Sequence, residues 1–174
     1  MIKIVNYYVS LIIFLSKVFG FASTALLMSA SLVVCQMVVI RYGFNSSTVW
    51  QTEFVKYAII AATLLGSPYV LMQKGHVSVD LIFHYISDRK GFWISLLASI
   101  IGLACCACLA WASWIYFLEA FHAGWVTATV WGPPLWIPLL PLPLGLSLLT
   151  LQYSVMILTE HGSFNIEGEA IGAP

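Results

Sequence analysis

An all-α integral membrane protein with four transmembrane helices is what three features of this 174-residue chain predict together. Charge is scarce, with seven Lys and Arg and seven Asp and Glu in all. It is also unevenly spread: Lys17 and Arg41 bracket 23 uncharged residues, Lys56 and Lys74 bracket 17, Lys90 and Glu119 bracket 28, and Glu119 and Glu160 bracket 40. Finally, a hydrophobic content of 61% and a mean hydropathy of +0.95 exceed what a soluble domain of this length could bury. A helix rises about 1.5 Å per residue, so roughly 20 apolar residues cross the hydrocarbon core, and the last run holds one span plus a loop.

Taken in order, the chain opens with a segment over 3–17 that is too polar to span. Lys3, Asn6, Ser10 and Lys17 fall within one arc at 100° per residue, with Ile4, Val5, Ile12 and Leu15 elsewhere, which predicts a helix lying in the membrane interface. Lys17 breaks the apolar run that a cleaved leader would need, and no A-x-A site follows. The first span is expected over 18–40, ending where Arg41, Gly43 and Asn45 interrupt it. Thr48 and Gln51 have the spacing of a capping box and would open the second helix, with Glu53 and Lys56 on its first turns and its apolar span over 54–72. A second interfacial helix is expected over 78–88, where Asp80, His84 and Ser87 share one face and Val79, Ile82, Phe83 and Ile86 another. The third span is expected over 92–117 and the fourth over 134–158. Residues 1–160 thus read as one membrane domain, and 161–174 as a short acidic tail.

Orientation follows from Lys and Arg near the span ends, because cytoplasmic loops retain them. Lys3, Lys17, Lys74, Arg89 and Lys90 lie on one side and Arg41 and Lys56 on the other, which places both termini in the cytoplasm. Trp50, Trp125, Trp131 and Trp136 would then sit at the outer interface, and Trp93 at the inner one.

The spans offer little chemistry. None carries Asp, Glu, Lys, Arg or His near its middle, and those groups are what ion paths, proton relays and substrate sites in membranes use. A net charge of zero without a basic cluster argues against nucleic-acid binding. Histidines at 76, 84, 122 and 161 lie in loops or at ends, away from where a bundle would ligate haem. Cys105 and Cys108 have a C-x-x-C spacing but sit mid-span, so helix packing beside Gly102, Ala104, Ala107 and Ala110 is the plainer role. A redox role would require that replacing both by serine abolish function. No cofactor and no metal site is expected; His76 and Asp80, four residues apart, suit a local cap or a partner contact, and lack a third ligand. Pro133, Pro134, Pro138, Pro141 and Pro143 in the fourth span imply a kink, a late helix start, or a helix shaped to fit a partner.

In order and spacing, several of these residues resemble the small permease subunit of TRAP (tripartite ATP-independent periplasmic) transporters. The resemblance runs over about residues 18–158. It rests on Arg41, Tyr42, Phe44 and Asn45 closing the first span, Trp50 and Glu53 opening the second, and Gly66 within it. It continues through Gly75, His76 and Asp80 after the second span, then Pro141 to Gly145 in the fourth. That family often has two adjacent acids where this chain has Thr52 and Glu53, so only Glu53 carries over. The resemblance implies a non-catalytic subunit in the bacterial inner membrane, scaffolding a large elevator-type permease subunit of a sodium-coupled transporter. A periplasmic substrate-binding protein would deliver the cargo, commonly an organic acid. Those twelve residues would be interface or structural positions, and Arg41 could pair with Glu53 or anchor separately in headgroups. A self-sufficient four-helix carrier acting as a homo-oligomer is the alternative, and would transport when reconstituted alone.

Overall fold

The computed structural model describes residues 2–44, 46–83, 88–128 and 132–160, with side chains described for 6–44, 46–73, 96–128 and 132–158. Within them the chain is almost entirely helical. The elements are α1 (Ile2–Gly43), α2 (Val49–Phe83), α3 (Asp88–His122), α4 (Trp136–Leu139) and α5 (Pro141–Glu160). Four stretches are long and apolar enough to cross a membrane, Asn6–Gly43, Val49–Gln73, Leu96–His122 and Trp136–Leu158. The tail 161–174 lies outside the described residues.

Segment 3–17 and the first span form one uninterrupted helix. Nothing in the sequence breaks it, since the first glycine is Gly20 and no proline occurs in α1. Asn6, Ser10 and Lys17 are exposed, while Val9 and Ile12 are buried against Val155 of α5. At the other connection α2 runs on to Phe83 and α3 begins at Asp88, with 84–87 outside the described residues. The 78–88 segment is therefore helical on both sides of that gap.

The capping box expected at α2 does not close. Thr48 precedes the helix, and its carbonyl accepts from the Thr52 N–H at 3.3 Å and the Thr52 hydroxyl at 2.9 Å, the bonds of an ordinary first turn. The Gln51 side chain is buried and its Oε1 has no hydrogen-bond partner among the described residues, so it does not reach back to the Thr48 N–H.

The helices pack in the spatial order α1, α2, α5, α3. Paired contacts fix their directions: Gly20 lies at Tyr69 and Ser23 at Gly66, so α1 and α2 are antiparallel. Gly102 lies at Tyr153, and the Trp114 indole N–H donates to the Ser147 hydroxyl at 2.9 Å, so α3 and α5 are antiparallel too. In a membrane this alternation puts Arg41, Trp50, Trp125 and Trp136 on one side and the N-terminus with Glu160 on the other.

The five prolines resolve as a late helix start. Pro133 and Pro134 lie in an extended segment, where Val126 and Pro134 form an antiparallel bridge and the Leu135 N–H donates to the Trp125 carbonyl at 2.8 Å. Pro138 sits in the single turn of α4, and Pro141 and Pro143 occupy the first and third positions of α5. Those positions have no intrahelical acceptor for an N–H, so proline there costs little. An aromatic chain of Trp114, Phe117, Phe121 and Trp136, with centroids 5.9–6.3 Å apart, ties this end of α3 to α4.

Pro141→Ala should leave the unfolding free energy in detergent within about 1 kcal/mol of the parent. Leu148→Pro, at a buried interior position of α5, should cost about 3 kcal/mol or more. A similar loss in both would contradict a helix that starts at Pro141.

Candidate functional site: the helix crossing and the uncovered face

Among the described glycines, the two tightest contacts, at Gly145 and Gly66, converge on the middle of α2. Pro68 is inside this helix and fully buried, and having no N–H it leaves the Leu64 carbonyl without its usual donor. The Ser67 hydroxyl donates to that carbonyl at 2.9 Å. Gly145 of α5 packs directly upon it, since a Cβ at this glycine would stand 2.5 Å from the Leu64 oxygen. Backbone cannot swing aside as a side chain can, so only glycine fits. One turn away Ser23 of α1 donates to the Ala62 carbonyl at 2.7 Å, and its Oγ would lie 2.6 Å from a Cβ on Gly66. Small residues that let helix backbones approach are the usual contact chemistry in membranes, where apolar side chains gain nothing from leaving lipid.

A second polar contact joins α1 to α5. The Ser16 hydroxyl donates to Gln152 Oε1 at 3.0 Å with both side chains buried, and Tyr8 and Ser154 share a hydrogen bond of 3.0 Å. With Val9, Ile12 and Val155 this clamps the first half of α1 onto α5.

The sequence-selected residues separate into two groups. Gly66 and Gly145 belong to the crossing, and Pro141 begins the helix that carries Gly145. Arg41, Tyr42, Phe44 and Trp50 project outward at the far end of α1 and start of α2, Tyr42 at 85% exposure and Phe44 at 74%. Glu53, one turn from Trp50, is buried at 5% exposure, while Arg41 is exposed. Asn45 lies outside the described residues, as do the side chains of Gly75, His76 and Asp80, whose backbone continues α2. Of the cysteines, Cys106 is half-buried, whereas Cys105, Cys108 and Cys35 are exposed, so the C-x-x-C pair does not pack within the chain as its small neighbours Gly102 and Ala110 do.

Pro68, Ser67, Ser23, Ser16 and Gln152 were missed by reasoning from charge. The signals were present: G-S-P in the middle of an uncharged run, and one amide in an otherwise apolar stretch of the fourth span.

Two unlike faces are left uncovered. On α1, Phe14, Phe21, Met28 and Cys35 recur every seven residues beside Val18, Leu32 and Val39, all exposed and nearly all large and apolar. Next to them around the helix, Ser10, Lys17, Thr24 and Ser31 form another exposed stripe, of which Lys17 and Thr24 are three and four residues from Gly20, where α2 makes contact. On α2 the exposed residues Thr52, Lys56, Ile59, Thr63, Val70 and Gln73 recur at intervals of three, four or seven and so share one face, with exposed Ile60 at its edge. They lie opposite Ala58, Ala61 and Pro68, which are buried. The two stripes flank the α1–α2 contact on the side away from α5. Thr24, Ser31 and Thr63 donate to carbonyls four residues back at 3.0, 3.0 and 2.8 Å, which satisfies their hydrogens and leaves oxygen lone pairs outward.

Comparison with known proteins follows the same outline. Residues 30–161 match the family described as tripartite ATP-independent periplasmic transporters, DctQ component. A protein from Haemophilus influenzae named as a TRAP transporter small permease is 29% identical over 108 residues, covering 62% of this chain and 67% of that protein. The C4-dicarboxylate TRAP transporter small permease protein DctQ of Vibrio cholerae serotype O1 is 23% identical over 141 residues, covering 67% of this chain and 59% of that protein. No solved structure matches.

Gly145→Ala should destabilise the chain by about 1–3 kcal/mol, because the Leu64 carbonyl cannot yield. Gly43→Ala, with nothing within 4 Å of the new methyl, should be neutral. Equal effects in thermal unfolding would overturn the crossing argument. For the buried polar pair, a double-mutant cycle of Ser16→Ala and Gln152→Leu should return a coupling of about 0.6–1.7 kcal/mol; strictly additive losses would mean that the hydrogen bond is not formed.

Proposed function

The chain belongs to the DctQ component family of tripartite ATP-independent periplasmic transporters, and on that premise we propose that it is a scaffold for the large membrane subunit of such a transporter. It is a small permease subunit with four helices able to span a membrane. In the proposed complex the large subunit carries substrate and sodium sites and moves, while this chain widens and anchors its fixed part. A soluble periplasmic binding protein supplies the substrate, an organic acid. The name of the Vibrio cholerae relative, which specifies C4-dicarboxylates, supports that class. The membrane is the bacterial inner membrane, with both termini cytoplasmic, as the excess of Lys and Arg on that side supports.

The observation that carries the scaffold reading is the contrast between the two uncovered faces. Lipid tails are met well by Phe14, Phe21, Met28, Leu32 and Val39. Thr24, Ser31 and Thr63 are small and bear outward oxygens, as residues at contacts between membrane helices do. We therefore assign the α1–α2 side with the hydroxyls to the large subunit and the aromatic side of α1 to lipid. Arg41, Tyr42, Phe44 and Trp50 extend beyond the outer end of the same pair and serve as contacts at the headgroup level. Glu53, buried a turn deeper, holds the helix ends together. A self-sufficient carrier finds no support in the spans, none of which has an ionisable residue near its middle.

Cross-linking from single cysteines, in a chain whose own four cysteines are replaced and which is expressed with its operon, tests this. Thr24→Cys, Ser31→Cys and Thr63→Cys should cross-link to a co-purifying large membrane protein, and Phe21→Cys, Met28→Cys and Leu32→Cys should not. Cross-links from the second set alone would keep the complex and reverse the faces. Elution as a lone oligomer that transports when reconstituted would sink the scaffold reading in favour of a carrier.

A further inference from the structure

We draw no further inference here: the strongest candidate, the buried Gln51 amide in the first turn of α2, presents an Oε1 without a hydrogen-bond partner among the described residues, and nothing in the structure shows what would meet it.

Discussion

The carbonyl of Leu64 is the point on which the packing of this chain depends. In hydrocarbon no water is present to satisfy a freed backbone group, so a proline inside a spanning helix demands a local substitute. Pro68 creates the demand, and the Ser67 hydroxyl meets it from within α2. The same spot admits α5, whose Gly145 lies against the oxygen. Two helices are thereby held at a distance that a side chain at 145 would prevent. Because α3 packs mainly on α5 and α1 mainly on α2, the crossing sets the relation between the two halves of the molecule.

Hydroxyls and amides in the spans do structural work in pairs or on their own backbones. Ser16 meets Gln152, Ser23 meets the Ala62 carbonyl, Trp114 meets Ser147, and Thr24, Ser31, Thr63 and Thr150 bond one turn back. These contacts are spread along the helices and do not converge on one cavity. A chain built this way is suited to holding a shape against a neighbour, as the proposed scaffold role requires.

Long-range order of charge made the four spans legible, because crossing hydrocarbon excludes ionised groups over about 20 residues wherever the helices lie relative to one another. Glycines 66 and 145 stood out only through the family resemblance; the physical reason for them, a close contact that offsets the helix cost of glycine, came from the packing. What could not be read was which partner each glycine meets, since that depends on pairing between helices and not on either helix alone. Gln51 shows the limit from the other direction. Its spacing from Thr48 fits a capping box, yet tertiary packing turns its side chain inward. The five prolines of the fourth span allowed a kink, a late start or a helix shaped to fit a partner, and only the position of the long helix α5, which begins at Pro141 after the separate turn α4, favours the late start.

Helix lengths carry the argument one step further. The apolar part of α1 is 38 residues, about 57 Å, whereas the fourth span is 23 residues, about 35 Å. To fit a hydrocarbon core of about 30 Å, α1 would need a tilt near 60°, beyond the roughly 0–40° that spanning helices adopt. Its charges, Lys17 and Arg41, bound a 23-residue apolar part, 18–40, and leave a shorter part, 6–16, before it. The longer part, about 35 Å, fits at a tilt near 30°. A continuous helix at that slope would carry the shorter part into the headgroup layer, with exposed Asn6 and Ser10 toward water, while Val9 and Ile12 pack against Val155. On that placement an amphipathic interfacial segment and an unbroken spanning helix would be the same object, and the Ser16 to Gln152 hydrogen bond lies where one would become the other.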